Sequence, residues 1–287
     1  MNQSATSKLG EKVVVGSHGY VQLVDVMGDD DRVVDAARIS YGRHGERDEV
    51  KNRNLLRHLM RHRHSTPFEQ CEMAFIVKVP MDTWRQWIRH RTASVNEYST
   101  RYAEAIDDMA TTLPDHWRLQ NQGNRQGSAP DTIEAVMGER LSKEEAGLQA
   151  RILQTYKVRL HAGVAREQAR KDLSLSTYTL AYWKIDVHNL MHFLGLRLDS
   201  HAQLEIREYA NAVHHFFHLA FPVISEAFHD YRTEAVTFSR LEVEALRELL
   251  RVGRTQGVLD GADLGEHGLR GREAGEFRAK LAVIRGA

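Results

Sequence analysis

The stretch that decides the fold spans residues 72–101 and reads EMAFIVKVPMDTWRQWIRHRTASVNEYSTR. Its beginning, residues 72–79, alternates in polarity and is rich in β-branched side chains, which predicts a strand. Pro80 interrupts this pattern, and residues 81–91 then have the spacing of a short helix. The side chains predicted to face inward from that helix are Trp84, Trp87 and Ile88.

Upstream of this stretch, the sequence predicts a hairpin and two helices. Residues 12–15 and 20–26 have strand patterns and are separated by a turn that begins and ends with glycine. Acidic residues then start a helix over 31–38, and apolar residues at helical spacing predict another over 49–63.

Downstream, a Gln-, Gly- and Asn-rich segment predicts a loop over 119–130. Residues 131–166 have a long helical pattern that Gly138 is expected to break. A strand is predicted over 175–185. Three helices are predicted to follow it, over 186–196, 201–220 and 241–252.

Strands and helices mix without regular alternation, which favours the α+β class. We predict an antiparallel or mixed sheet flanked by long helices, in a single-domain protomer. The expected divisions are a flexible N-terminus over 1–10, the main domain over 11–235, and a C-terminal helix with a polar tail over 236–287.

The composition is that of an ordinary globular protein, with 42% hydrophobic and 27% charged residues among 287. The 39 basic and 39 acidic residues balance, so no overall field favours nucleic acid or a membrane surface. The single cysteine, Cys71, excludes an intramolecular disulfide and suits a reducing compartment. Without an apolar signal region or a run of about 20 apolar residues, the expected location is the cytoplasm.

The chemistry is concentrated in residues 89–101, which hold three arginines, a histidine, two serines, an asparagine and Glu97. Arginine forks match phosphate oxygens in pairs, and serine hydroxyls can complete such a site. A dense basic run is more often a solvated face or a generic RNA contact. The inward-facing tryptophans argue against a merely solvated face, and Glu97 is either a counter-ion or an acceptor for a ribose hydroxyl or base N–H.

Three histidine pairs have the i,i+4 spacing of metal ligands, but we predict no metal site. The pairs are His58 and His62, His188 and His192, and His214 and His218. Because the pattern recurs and no cysteine or carboxylate completes a ligand set, surface or core histidines are the better interpretation.

Arg89-His90-Arg91, seven residues and Ser99 match RHRX7S, so the chain resembles the flavin-dependent thymidylate synthases. Three further segments in the same order resemble that family. They are His64–Glu69 (HSTPFE), Arg85–Trp87 (RQW) and Leu196–Gln203 (LRLDSHAQ). The resemblance extends over roughly residues 18–235.

The resemblance implies two ligand sites and one catalytic side chain, Arg197. Without the resemblance, Arg197 would be interpreted as a helix-terminal arginine paired with Asp199. The implied dUMP ligands are Gln86, Trp87, Ile88, Arg89, Glu97, Tyr98, Ser99, Thr100, Arg101, Arg170 and Arg197. The implied FAD ligands are Ser40, Thr66, Arg89, His90, Arg91, Glu97, Asp186, His188 and His192.

The implied reaction converts dUMP to dTMP without a cysteine nucleophile, so Cys71 is interpreted as an ordinary small side chain. FAD carries the hydride, NADPH reduces it, and 5,10-methylenetetrahydrofolate supplies the carbon. The family forms homotetramers with shared active sites. An RNA-binding module that uses the Arg/His cluster is the alternative interpretation.

The sequence departs from the family pattern at several of these positions. Thr100 stands where the family usually has glycine. A β-branched residue at this position requires a backbone with a negative φ. Ser174 replaces a common proline. Asp186, His188 and His192 differ from the Asn, Arg and Asn of some relatives, so the FAD contacts there are the weakest expectation.

Overall fold

A computed structural model describes most of the chain, and the chain divides into two compact units, residues 1–234 and 235–287. The described residues are 6–43, 45, 48–106, 108–122, 127–241, 243–244, 246, 271, 273, 275–278 and 280. No helix within these residues is long and apolar enough to cross a membrane. Of the helix predicted over 241–252, residues 241, 243, 244 and 246 are helical and the others lie outside the described residues.

The first unit is built on a five-stranded sheet in which every neighbouring pair of strands is antiparallel. Its strands are β1 (Lys12–Val15), β2 (Gly19–Met27), β3 (Glu72–Pro80), β4 (Ser94–Glu97) and β7 (Tyr178–Asp186). They are arranged in the order β1-β2-β3-β7-β4. A separate hairpin pairs β5 (Arg118–Gln120) with β6 (Ser128–Thr132). The predicted α+β class with an antiparallel sheet is confirmed.

Eight α-helices accompany the sheet in the described part of this unit. They are α1 (Asp30–Arg38), α2 (Glu49–Arg61), α3 (Met81–Trp87), α4 (Ala135–His161), α5 (Arg166–Ala169), α6 (Val187–Arg197), α7 (Leu204–Ala220) and α8 (Pro222–Phe228). The start of α6 is fixed by Asp186, whose carboxylate accepts a hydrogen bond from the backbone N–H of Asn189 at 2.9 Å. A single π-helical turn, His229–Thr233, follows α8.

The core lies between one face of the sheet and α7. Alternate residues of the central strands point to that face, including Phe75 on β3 and Trp183 on β7, which are a register pair. Both are buried, as are Val213 and Phe216 of α7, and the Phe75 and Phe216 ring centroids are 6.3 Å apart. Because the apolar stripe of α7 packs inside the protomer, β3 and β7 are held on a rigid support. From β3 the chain continues through α3 to the arginine signature, residues 89–101.

Three local predictions were wrong. Ile88 is 42% exposed, because α3 already ends at Trp87 and Ile88 lies beyond its buried face. The predicted loop over 119–130 includes strand residues at both ends, since Gln120 pairs with Ser128 across the hairpin. Gly138 does not break α4. It is buried within the helix and lets the backbone pack on Pro114, whose carbonyl oxygen would be 2.0 Å from a Cβ at this position.

Candidate active site

The arginine signature is anchored by two tryptophans at its base. Trp84 and Trp87 are buried in α3, and the Trp87 ring centroid lies 4.9 Å from that of Phe193 on α6 and 5.1 Å from that of Trp183. Just past this anchor, the chain leaves the core and Arg89 becomes exposed. The signature is therefore held on a rigid support while its first guanidinium faces solvent, as expected from the inward-facing tryptophans.

His90 is the buried member of the signature and binds Arg197. It is 8% exposed, and its Nε2 accepts a hydrogen bond of 3.0 Å from Nε of Arg197. Burial lowers the pKa of His90 to about 4, helped by the positive charges of Arg197 and His192. Because the guanidinium can only donate, His90 is neutral and carries its proton on Nδ1.

Arg197 is fixed at two points. Besides the bond to His90, its Nη2 donates to the backbone carbonyl of Gln86 at 3.0 Å. Burial lowers the pKa of this guanidinium. The alternative pairing with Asp199 is wrong, because the Asp199 carboxylate accepts from the ring and backbone N–H of His201, at 2.8 and 2.7 Å. Among the described residues, no carboxylate forms an ion pair with Arg197, so its charge is available to a ligand.

The second half of the signature forms an edge strand, β4. Glu97 is paired in register with Ala181 of β7, and its Oε1 accepts a hydrogen bond of 2.9 Å from Thr179 Oγ1. Glu97 forms no ion pair within the described part of the chain, so it is an acceptor rather than a counter-ion. Sequence reasoning missed Thr179, which becomes visible only when the register between β4 and β7 is known.

The end of the signature is a turn that meets the segment after α5. Arg101 N donates to Ser99 Oγ at 3.3 Å, and Arg170 Nη1 donates to Thr100 Oγ1 at 2.8 Å. Arg170 is thereby brought to the signature as expected. Positive φ is confined to Arg63 among the described non-glycine residues, so Thr100 fits this turn with an ordinary backbone. Its hydroxyl supplies an acceptor that glycine lacks.

Two nearby glutamines form a contact that sequence reasoning also missed. Gln86 Nε2 donates to Oε1 of Gln203, which precedes α7. The RQW segment and the LRLDSHAQ segment thus touch through their glutamines. Both glutamines lie in segments that resemble the family, which was the available sequence signal. That resemblance gave no reason to pair these two side chains. The other RQW residues behave differently, since Trp87 is buried and Arg85 is exposed.

The expected FAD residues fall into two groups. His192 on α6 lies beside His90, with ring centroids 5.7 Å apart, and His188 is one turn earlier on the same helix. Ser40 lies in an exposed 3₁₀ turn after α1, and Thr66 is exposed ahead of another. Within the described part of the protomer, no hydrogen bond or ion pair links Ser40 or Thr66 to the arginine signature.

Cys71 is buried and its burial raises the pKa of its thiol to about 12. Its Sγ contacts the Asp29 carbonyl at 3.7 Å, and a Cβ on Gly28 would lie 2.5 Å from that sulfur. Such a thiol is neutral at physiological pH and enclosed by its neighbours, so it has none of the properties of a nucleophile.

Comparison with known proteins assigns this site to a chemical context. A family model described as thymidylate synthase complementing protein matches residues 22–223. Two relatives named flavin-dependent thymidylate synthase are 42% and 45% identical. The first, from Wolbachia pipientis wMel, matches over 85% of this chain and 85% of its own length; the second, from Gluconobacter oxydans, over 81% and 77%. The solved structure of the UMP/dUMP methylase PolB from Streptomyces cacaoi, bound with 5-Br dUMP, has a TM-score of 0.69 and 32% identity. It covers 77% of this chain and 99% of that chain.

Proposed function

Since the chain belongs to the flavin-dependent thymidylate synthase family, we propose that it reductively methylates dUMP to dTMP. The carbon donor is 5,10-methylenetetrahydrofolate, FAD carries the hydride, NADPH is the reductant, and tetrahydrofolate is released. The assignment to this site rests on the surroundings of Arg197. Its partly buried guanidinium is held by His90 and the Gln86 carbonyl, and no carboxylate pairs with it in the described structure.

We assign the dUMP phosphate to the turn at the end of the signature. Ser99 and Thr100 supply hydroxyls there, and Arg170 already contacts Thr100 with its guanidinium. Arg101, whose guanidinium pairs with the exposed Glu167 at 3.5 Å, supplies the second guanidinium. Arginine forks donate two parallel bonds to phosphate oxygens, which fixes orientation as well as charge. Glu97 accepts from a polar group of the nucleotide. The remaining contacts of the proposed site come from Gln86, Ile88, Arg89 and Tyr98. The sequence analysis also expected Trp87 to bind dUMP, but its full burial makes it a support for these residues rather than a contact.

Arg197 is the proposed catalytic side chain. As a permanent cation beside the uracil, it favours ionisation of N3 and stabilises negative charge that develops on the ring. Its two existing bonds hold the guanidinium in place before substrate arrives, so little reorganisation is needed in the transition state. Partial burial strengthens this interaction, because the local dielectric is lower than that of water.

The residues at the other side of the signature fit a flavin dinucleotide. Arg89 and Arg91 are exposed cations without ion-pair partners in the described structure, and His90 presents a neutral ring next to His192. FAD, when bound, supplies the hydride chemistry that the side chains lack. The protein orients it through the proposed contacts, which are Ser40, Thr66, Arg89, His90, Arg91, Glu97, His188 and His192. Asp186 contributes indirectly, because its carboxylate caps the helix that carries both histidines.

We further propose a cytoplasmic homotetramer with active sites shared between subunits. The separation of Ser40 and Thr66 from the signature supports sharing, since contacts from a second subunit would unite the two groups. The neighbours of Ser40 are exposed apolar side chains, with Ile39 at 61% and Tyr41 at 82% exposure. The apolar stripe of α7 is buried within the protomer, so we place the proposed interface elsewhere.

Spectroscopy and turnover test the proposal together. The purified protein should be yellow with bound flavin, and with NADPH and methylenetetrahydrofolate it should convert dUMP to dTMP. UMP should be assayed in parallel, because the PolB structure belongs to a protein named for both nucleotides. A colourless protein that binds RNA with steep salt dependence, and that leaves dUMP unchanged, would instead support the RNA-binding alternative.

A further inference from the structure

A groove of about 300 Å³ runs along α6. Its polar lining consists of His188, Asn189, His192 and Arg232, and its apolar lining includes Met191 and Phe228. A volume at the low end of ligand sites suits one group of a larger molecule rather than the whole of it.

Arg232 is the strongest charge in this groove. It is half-buried, and burial lowers the pKa of its guanidinium, with a smaller contribution from the positive charge of Arg63. In the described structure no carboxylate pairs with Arg232, and none lines the groove. A partly desolvated guanidinium without a counter-ion is costly unless an anion binds to it.

The backbone around the groove is unusual at two points. Arg232 lies in the π-helical turn that follows α8, and such turns are frequent at functional sites. Arg63 has a φ of +59°, the left-handed conformation, at the end of α2. The amide of His64 donates to the Leu59 carbonyl at 3.0 Å and stabilises this reversal. Both features direct positive charge to the same region.

The groove is continuous with the proposed flavin site through His192. One edge of His192 meets the His90 ring, and the residue also lines the groove with Arg232. We infer that Arg232 binds a phosphate of the dinucleotide, and this inference rests on the proposed FAD function. Unlike the imidazoles of His188 and His192, the guanidinium of Arg232 is a permanent cation, so it supplies a fixed positive charge to a phosphate.

Binding to apoprotein tests this inference with Arg232→Gln, Arg232→Lys and a matched control, Arg151→Gln. Arg151 is an exposed arginine of α4 that does not line the groove, so its replacement removes the same charge elsewhere. FAD binding is measured by flavin fluorescence, inorganic pyrophosphate binding by calorimetry, and folding by circular dichroism and thermal melting. We expect Arg232→Gln to weaken both ligands about tenfold or more. Arg232→Lys should lose less, and Arg151→Gln should match the wild type.

Unchanged FAD and pyrophosphate affinities in both Arg232 variants would overturn the inference while the flavin proposal survives. Equal weakening by Arg151→Gln would also overturn it, since the effect would then be general charge. If the wild type bound pyrophosphate through Arg232 but not FAD, the groove would stand as a phosphate site and the flavin assignment would fail. Binding of neither molecule by a folded wild type would refute both.

Discussion

Arg197 and His90 form one hydrogen-bonded pair, in which Nε of the arginine donates to Nε2 of the histidine at 3.0 Å. The two residues are distant in the sequence and come from α6 and from the turn after α3. Their contact joins the LRLDSHAQ segment to the arginine signature. Because one partner is a permanent cation and the other is kept neutral by burial, the pair keeps a net positive charge.

Removing the guanidinium should separate turnover from cofactor binding. We expect Arg197→Ala to keep flavin bound and to lower kcat for dTMP formation by about 10²–10³-fold or more, as loss of a preorganised charged donor does. Arg197→Lys should recover little, because a single ammonium cannot donate to His90 and Gln86 in the same geometry. Steady-state assays with flavin absorbance as the control measure both effects. Normal turnover by Arg197→Ala would refute the catalytic role.

His90 should position Arg197 through its acceptor nitrogen. We expect His90→Ala to lower kcat about 10–100-fold, since small displacements of a catalytic group carry costs of that order. His90→Gln retains an acceptor near the place of Nε2 and should recover much of the loss. The two variants are compared at flavin saturation, because His90 also lies in the proposed FAD site. Equal activity of Ala and Gln variants would argue against positioning.

The protonation of His90 gives a pH prediction. Its pKa of about 4 in the folded protein lies below the ordinary value of 6.5, so the unfolded chain binds this proton more readily. The contribution of neutral His90 to the free energy of unfolding is therefore complete above pH 6.5 and is lost as the pH falls toward 4. NMR titration of the imidazole should show a midpoint near 4. A midpoint near 6.5 would mean that the buried neutral pairing with Arg197 does not persist in solution.

Cys71 should be dispensable for the reaction. We expect Cys71→Ala to keep kcat within about twofold of the wild type, because a buried thiol with a pKa of about 12 offers no thiolate. The native protein should also react slowly with a thiol reagent until it is unfolded by denaturant. Loss of turnover in a variant that remains folded and yellow would restore the nucleophile hypothesis.

The sequence predicted four of the five strands of the main sheet, but neither β4 nor the links between the elements. The strand predicted over 72–79, which extends to Pro80 in the structure, and the helix carrying the tryptophans follow from local periodicity, and these elements hold the site. The bonds from Arg197 to His90 and from Thr179 to Glu97 depend on strand register and helix docking, which no local pattern contains. Ile88 had the right spacing for burial, but the helix ended before that spacing could apply.

Gly138 and Gly147 provide a matched test of the packing of α4. A Cβ at Gly138 would lie 2.0 Å from the Pro114 carbonyl oxygen, whereas a Cβ at Gly147 meets nothing within 4 Å. Gly138→Ala should therefore destabilise the protein by about 1–3 kcal/mol, the usual cost of overpacking. Gly147→Ala should stabilise it by about 0.5–1 kcal/mol, because alanine loses less conformational freedom in a helix. Denaturant unfolding measures both, and equal shifts of the same sign would mean that α4 does not pack on Pro114.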